Sequence, residues 1–177
     1  MAKRLGEKEI FKTKLFTIKD IDLEFTTGKN ATYQILHKNN TALIVPVTKE
    51  GKFVLVKEYY AAIDEYGLSF PKGRIEKGEN KLDTANKELQ EEIGYKAKEL
   101  NEIALFTMSP GYITQKTHVF MATDLRESKL KGDEEEELEI LEVSFDEFEK
   151  LVKDGKITEA RTIAAFYLVN RILKNKK

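Results

Sequence analysis

The sequence contains neither cysteine nor tryptophan, and only 3 of its 177 residues are proline. The absence of cysteine excludes disulfide bonds, iron–sulfur clusters and zinc sites with thiolate ligands. It agrees with a reducing compartment, and we expect a cytoplasmic location. The longest apolar runs, such as residues 42–47, are too short to cross a bilayer. The charged N-terminus has no apolar stretch of the kind that signal peptides carry.

The sequence also lacks an excess of charge of either sign. Thirty lysines and arginines stand against 31 aspartates and glutamates, which gives a net charge of −1. Without a basic field, we expect neither nucleic acid nor a membrane surface as a partner. Apolar residues make up 41% and charged residues 34% of the chain. This composition is typical of a soluble globular protein with one core.

Alternating apolar and polar residues predict strands in the first part of the chain. Residues 15–37 alternate with period two around a turn at residues 27–30, which predicts an N-terminal antiparallel ribbon. A second ribbon is predicted where the segments TALIVPV and KFVLVKEYY flank residues 49–51. Further strands are predicted near residues 101–107, 117–123 and 138–143.

Helical periodicity appears in three later segments. Residues 80–93 place an apolar stripe on one face, and Gly94 follows where a glycine can end the helix. Ser144 and Glu147 fit a capping box that opens a short helix, which Gly155 closes. The last segment predicts an amphipathic helix with a core face of Ala160, Ile163, Ala164, Tyr167, Leu168 and Ile172. One central helix between strands predicts an α/β (α+β) fold, with helices on the faces of a mixed sheet.

Three glutamates crowd one face of the central helix. Glu88, Glu91 and Glu92 are spaced three and four residues apart, where like charges repel, and they lie near the negative end of the helix dipole. A glutamate-rich helix is by itself more often a solvated face than a metal site. However, Mg²⁺ takes carboxylate oxygens together with phosphate oxygens and water. The preceding loop at Lys72 and Gly73 offers a backbone carbonyl as a further ligand.

The segment from Gly73 to Tyr95 resembles the Nudix box, Gx5Ex7REUxEExGU, in which U is a bulky aliphatic residue. The matching single-type positions are Gly73, Glu79, Glu88, Glu91, Glu92 and Gly94. Two positions depart from the pattern. Lys87 replaces an arginine whose planar fork can hold a carboxylate by two bonds, and Tyr95 replaces the last aliphatic residue. On this motif the sequence is identified as a member of the Nudix hydrolases.

The resemblance implies an α/β/α sandwich and metal-dependent hydrolysis of a nucleoside diphosphate linked to another group. It implies that Mg²⁺, with Mn²⁺ as the alternative, is held by Glu88, Glu91, Glu92 and the carbonyl of Lys72. Glu88 would also be catalytic. The expected structural members of the motif are Gly73, Glu79, Lys87 and Gly94.

Segments outside the box are similar to the ADP-ribose pyrophosphatase branch, and within it to the ADP-compounds hydrolases. They include KEYYAAIDEYGLSFPKG, the loop MSPGY and the ending ITEARTIAAFYLV. The resemblance implies release of AMP from ADP-ribose, diadenosine polyphosphates such as Ap3A, or NADH. Tyr60 stands where many ADP-ribose hydrolases have arginine, which favours this broader range. The expected substrate-binding residues are Tyr60, Arg74, Pro110 and Tyr112.

The acidic run at residues 133–137 falls in a late loop that supplies the catalytic base in this branch. Glu134 and Glu136 are the two candidates, and a solvated loop is the alternative interpretation. The resemblance also implies that residues 1–40 are a dimerisation element and residues 41–177 the hydrolase domain, so we expect a homodimer. Other functions left open are a non-catalytic nucleotide sensor and an enzyme for other nucleoside diphosphate derivatives.

Overall fold

The computed structural model describes residues 1–132 and 138–175. The strands are β1 (Lys3–Lys12), β2 (Thr17–Glu24), β3 (Asn30–His37), β4 (Thr41–Pro46), β5 (Phe53–Tyr60), β6 (Glu65–Ser69), β7 (Lys72–Arg74), β8 (Tyr95–Thr107), β9 (Lys116–Glu127) and β10 (Glu139–Val143). The helices are α1 (Lys81–Glu88), α2 (Phe145–Lys153) and α3 (Ala160–Lys174), and a π-helical turn (Leu89–Ile93) continues α1. No helix of the described residues is long and apolar enough to span a membrane.

The N-terminal ribbon is confirmed and carries one strand more than predicted. β2 and β3 pair antiparallel in the register Ile21 to Tyr33, and Gly28 makes the turn between them with a φ of 78°. β1 joins the other edge of β2. The sequence did not predict β1 because its residues are charged and almost all exposed, so no buried face imposes an alternating pattern.

The predicted second ribbon is wrong, because β4 and β5 belong to different sheets. β4 lies in the order β7-β4-β9-β8, parallel to β9, whereas β5 lies in the order β10-β5-β6. Only a single bridge, from Val47 to Phe53, joins the two segments around their turn. Both segments are apolar and buried along most of their length. Each therefore finds strand partners on both edges inside the fold instead of pairing with the other.

Two apolar cores make this a mixed sandwich with helices on both faces, as predicted. One core packs α1 and the π-helical turn against β4 and β5 through Ala42, Ile44, Val54, Val56, Ala85, Leu89 and Ile93. The other core packs α2 and α3 on the opposite side through Leu43, Val45, Phe53, Leu55, Phe70, Phe148 and Phe166. Successive side chains of β4 point to opposite faces of the sheet, so this strand contributes residues to both cores.

The buried face of α3 differs from the predicted one. Its buried residues are Thr162, Ala165, Phe166 and Val169, whereas Ala160, Ala164 and Tyr167 are exposed. Two contacts rotate the helix to this face. Phe166 stacks on Phe148 with ring centroids 3.7 Å apart, and Thr162 Oγ1 accepts a hydrogen bond from the backbone N–H of Phe70 at 3.3 Å. The pattern of apolar residues could not predict this buried face, because Thr162 is polar.

The central helix begins and ends where predicted, but its last turn is not α-helical. Asn80 caps the start, its side chain accepting from the N–H of Leu82 at 2.9 Å. From Leu89 the backbone widens into the π-helical turn, which Gly94 closes in the left-handed conformation with a φ of 73°. The N–H of Gly94 bonds to the carbonyl of Leu89, five residues back. Such turns are frequent at functional sites, and here the turn carries Glu91 and Glu92.

Candidate active site

The closest approach between α1 and the sheet is at Gly73 on β7. A Cβ atom placed on Gly73 would lie 1.9 Å from the carboxyl carbon of Glu88 and from its Oε1. The carboxylate of Glu88 therefore occupies the space that any other residue would fill with its side chain. Only glycine lets the helix place a carboxylate directly on the backbone of this strand.

A second carboxylate lies beside the first on the same strand. The backbone N–H of Lys72 donates to Glu92 Oε2 at 3.3 Å. Because Lys72 and Gly73 are consecutive in β7, Glu88 and Glu92 lie against neighbouring residues of one strand. One carboxylate comes from the end of α1 and the other from the π-helical turn.

The third glutamate of the motif is held differently. Glu91 Oε2 forms an ion pair with Lys87 Nζ at 3.2 Å, with the Glu91 side chain 12% exposed and that of Lys87 60% exposed. Among residues 1–132 and 138–175, no three acidic or histidine side chains are grouped so that they could hold a metal. The structure thus brings Glu88 and Glu92 together on β7, whereas Glu91 turns toward Lys87.

The donor set on β7 nevertheless suits a hard divalent cation. Mg²⁺ is commonly bound through one or two carboxylates, with water and phosphate oxygens completing its coordination. Glu88 and Glu92 supply two carboxylates against the backbone of β7, and Gly73 leaves the room that Glu88 needs. The residues present therefore fit such an ion.

The loop after β7 is fastened to α1 by Glu79. Its Oε2 accepts a hydrogen bond from the backbone N–H of Glu76 at 3.1 Å and another from Thr84 Oγ1 at 3.2 Å. These bonds join the loop to the first turn of the helix. The predicted structural role of Glu79 agrees with these contacts.

Two amide side chains that the sequence did not single out fix the far end of the helix. Asn86 exchanges hydrogen bonds with the backbone of Ala97, 2.9 Å for the accepted bond and 3.2 Å for the donated one. Gln90 accepts from Ser128 Oγ at 2.9 Å and donates to the carbonyl of Asn86, also at 2.9 Å. Both residues stand at positions that the motif leaves variable, so only the fold reveals their contacts.

A polar cluster beside the carboxylates consists of Glu58, Tyr60, Ser69 and Lys72. The ammonium of Lys72 pairs with Glu58 and lies 3.0 Å from Ser69 Oγ and 5.6 Å from the centre of the Tyr60 ring. The Tyr60 hydroxyl is buried and has no hydrogen-bond partner among the described residues. The ring packs on Gly67, where an added Cβ would come within 2.3 Å of it. Lys72 thus connects Tyr60 to the carboxylate strand.

The N-terminus of α3 carries a partly buried ion pair. Glu159 caps the helix, accepting from the N–H of Thr162 at 2.8 Å and from Arg161 Nε at 2.7 Å. Burial alone would raise the pKa of the Glu159 carboxyl, but Arg161 and Thr162 outweigh it, so the pKa lies below its usual value. Arg161 is thus held by an ion pair within its own helix N-terminus.

Residues 37–166 match the family model of the NUDIX domain. The chain belongs to the Nudix family. It is 33% identical over 172 residues to the ADP compounds hydrolase NudE of Escherichia coli (strain K12), a match covering 96% of this chain and 92% of that protein. It is 37% identical over 170 residues to the ADP-ribose pyrophosphatase of Bacillus subtilis (strain 168), covering 92% of each.

A solved structure extends the likeness to the whole fold of this Nudix protein. The crystal structure of an ADP compounds hydrolase superposes with a TM-score of 0.90 at 32% identity, covering 99% of this chain and 95% of that chain. Nudix hydrolases generally depend on divalent metal ions. The predicted Nudix fold, with its N-terminal ribbon, is confirmed.

The remaining residues predicted for the Nudix site lie at different distances from the box. Arg74 is on β7, but its half-exposed side chain pairs with Glu76. Pro110 and Tyr112 belong to the loop after β8, which the carbonyl of Tyr112 fastens to β3 by accepting from the N–H of Leu36 at 2.7 Å. Glu134 and Glu136 lie outside the described residues. The roles of all five stay predictions.

Both histidines make polar contacts, and His118 lines a small pocket beside the box with Gly78, Glu79 and Lys81. His37 Nδ1 is 3.1 Å from Thr114 Oγ1, and His118 Nδ1 is 2.6 Å from Glu102 Oε1. Glu102 also pairs with Lys81.

Proposed function

We propose that this Nudix pyrophosphohydrolase hydrolyses the pyrophosphate bond of ADP-linked small molecules and releases AMP. The observation that carries the proposal is the placement of the Glu88 and Glu92 carboxylates side by side on β7. The names of the relatives, an ADP compounds hydrolase and an ADP-ribose pyrophosphatase, support the substrate class. ADP-ribose, Ap3A and NADH are the proposed substrates.

The proposed cofactor is Mg²⁺, with Mn²⁺ as the alternative. Glu88, Glu92 and the backbone carbonyl of Lys72 would hold it, and Glu91 would join them by exchanging its contact with Lys87. A bound divalent cation neutralises charge on the pyrophosphate and lowers the pKa of water. A bound cation would balance the negative charges of Glu88 and Glu92. This balance would explain why the sequence places glutamates that repel each other on one face of a helix.

The chemistry needs one proton acceptor. A water oxygen forms a bond to phosphorus, the bond from that phosphorus to the bridging oxygen breaks, and the proton of the water passes to a carboxylate. Glu88 is the candidate within the described residues, since Gly73 fixes its carboxylate in place. Glu134 and Glu136 of the acidic loop are the other candidates. The departing phosphate carries the bridging oxygen away, and one of the two products is AMP.

A substrate panel tests this proposal directly. Purified protein is incubated with ADP-ribose, Ap3A, NADH and a GDP-sugar, with Mg²⁺, with Mn²⁺ or with EDTA, and the products are identified by mass. We expect AMP from at least one ADP compound and no product in EDTA. If no ADP compound yields AMP, the substrate class is wrong. If no compound at all is cleaved, a non-catalytic nucleotide sensor is favoured instead.

We also propose that residues 1–40 serve as a dimerisation element. The N-terminal sheet exposes large apolar side chains, including Leu5, Ile10, Phe11, Leu15 and Tyr33. Exposed apolar surface of this kind often marks an interface. Light scattering coupled to gel filtration measures the molar mass, and a monomer at all concentrations would contradict the proposal.

A further inference from the structure

Lys72 links the carboxylate strand to the other sheet. Its backbone N–H, in β7, donates to Glu92, whereas its ammonium reaches across to Glu58 on β5 and Ser69 on β6. The side chain of Lys72 is only 13% exposed, and that of Glu58 is 27% exposed. The main chain of Lys72 therefore contacts the Glu92 carboxylate, whereas its ammonium contacts Glu58 and Ser69.

The polar cluster around this ammonium also contains the Tyr60 hydroxyl, whose pKa is raised by burial and further influenced by the nearby Ser69 and Glu58. The Tyr60 hydroxyl is buried without a hydrogen-bond partner among residues 1–132 and 138–175, and the Lys72 ammonium lies 5.6 Å from the centre of its ring. Leaving a buried donor unpaired destabilises a fold, so such groups usually have a partner in the working state of a protein. A hydroxyl donor beside a cation suits an anionic group rich in oxygen.

The chain offers one competitor for that cation. Glu58 is the carboxylate that pairs with Lys72, and Ser69 Oγ donates to the same Glu58 oxygen at 3.1 Å. The competing carboxylate belongs to β5, whereas Lys72 belongs to β7. A phosphate oxygen would replace the Glu58 oxygen as the acceptor of the ammonium.

We propose that the Lys72 ammonium is the substrate-binding cation of this site, contacting the diphosphate of the substrate while the Tyr60 hydroxyl donates to the same group. When no substrate is bound, the Glu58 carboxylate pairs with the ammonium. When the diphosphate binds, a phosphate oxygen takes the place of that carboxylate. The proposal rests on the proposed function, because it takes a diphosphate as the ligand beside Glu88 and Glu92. It assigns the side chain of Lys72 a role separate from that of its backbone.

A purely structural ion pair between the sheets makes different predictions. If Lys72 and Glu58 only fastened β7 to β5, neutralising either one would weaken the fold and leave ligand affinity unchanged. If Glu58 competes with phosphate for Lys72, neutralising the two residues acts in opposite directions. Lys72→Met would then weaken binding, and Glu58→Gln would strengthen it.

The experiment measures the affinity for ADP by calorimetry and the KM for ADP-ribose in Lys72→Met, Lys72→Arg and Glu58→Gln. Removing one charge-assisted contact should raise Kd and KM about 10-fold or more in Lys72→Met, with a smaller effect on kcat. Lys72→Arg should recover most of the affinity, and Glu58→Gln should lower Kd. The double variant Lys72→Met with Glu58→Gln leaves no unpaired charge, and it should also bind ADP weakly.

Lys57→Ala is the matched control. Lys57 also lies on β5 and pairs with a glutamate, Glu139, but on the exposed surface, so its loss should leave Kd and KM unchanged. Thermal melting verifies that each variant is folded. A Kd within twofold of the wild type in both Lys72→Met and the double variant would overturn the proposal.

Binding and turnover separate this proposal from the proposed function. If the wild type releases AMP but the Lys72 variants bind ADP normally, only the role of Lys72 is wrong. If no substrate is cleaved but ADP binds and Lys72→Met weakens that binding, the role of Lys72 stands and the activity fails. If the wild type does not bind ADP, both fail.

Discussion

The carboxylate of Glu88 lies where a side chain on Gly73 would have to be, 1.9 Å from the position of the missing Cβ atom. The Glu88 side chain is thus packed between α1 and the backbone of β7, where Gly73 contributes no side chain of its own. This contact fixes the position of the Glu88 carboxylate relative to the backbone of β7. It also brings Gly73 and Glu88 together in space, although 15 positions separate them in the sequence.

Gly73→Ala tests this contact. A methyl group at this position must push Glu88 away or distort β7, and overpacking of this kind usually costs about 1–3 kcal/mol of unfolding free energy. We expect that loss in denaturant titrations, with kcat reduced at least about 100-fold because the carboxylate is displaced. Gly6→Ala, on β1, is the control, since its added methyl meets only Asp22 Oδ2 at an ordinary contact distance of 3.8 Å. Near-normal stability and kcat in Gly73→Ala would show that Glu88 does not need its place on β7.

Glu92→Gln tests the carboxylate pair. The amide keeps the shape of the side chain and an oxygen that can accept from the Lys72 N–H, but it removes the charge that a divalent cation needs. We expect a loss of at least about 100-fold in kcat, with an unfolding free energy within about 1 kcal/mol of the wild type. Glu142→Gln, on the exposed side of β10, should leave both quantities unchanged. Full activity of Glu92→Gln over the whole range of Mg²⁺ concentration would refute the role of Glu92 in metal binding.

Tyr60→Phe separates stability from function. Removing a buried hydroxyl that has no partner should leave the fold as stable as before or stabilise it by about 1 kcal/mol. The same change removes the donor proposed for the substrate, so KM for ADP-ribose should rise several-fold. Thermal melts and initial rates measure the two effects on one preparation. A destabilised variant with an unchanged KM would mean that the hydroxyl serves the fold alone.

Glu159→Gln tests the pH dependence of stability. Because the pKa of Glu159 is lower in the folded than in the unfolded chain, its charge stabilises the fold above the unfolded pKa of about 4.3. This contribution is lost as pH falls through the folded pKa, since protonation favours the unfolded state. At pH 7 we expect the wild type to be more stable than Glu159→Gln by about 1 kcal/mol.

The difference in unfolding free energy between the wild type and Glu159→Gln should shrink as the pH is lowered below about 4. Urea titrations at a series of pH values measure it. Glu9→Gln, at an exposed position of β1, is the control for a change of charge alone. A difference that stays constant down to pH 3 would show that the carboxylate of Glu159 gains nothing from Arg161 and Thr162.

Local patterns predicted the ends of elements well and the pairing of strands less well. The capping box of Ser144 and Glu147 is formed, and Gly94 ends the box helix, because both depend on contacts within a few residues. The predicted pairing of β4 with β5 is wrong because a strand buried on both faces is apolar throughout. Its sequence pattern therefore does not indicate which strands lie beside it. Which face of α3 is buried was likewise decided by Phe148 and Phe70, which lie far away in the sequence.

The sequence by itself determined the family, the box and the presence of a glutamate cluster, because spacing within one helix needs no tertiary contact. Only the tertiary structure decided how that cluster is divided. Glu88 and Glu92 lie on β7, whereas Glu91 lies with Lys87, because the π-helical turn and Gly73 set the direction and the room for each carboxylate. The polar cluster of Glu58, Tyr60, Ser69 and Lys72 exists only because the fold brings β7 next to β5 and β6, which belong to another sheet.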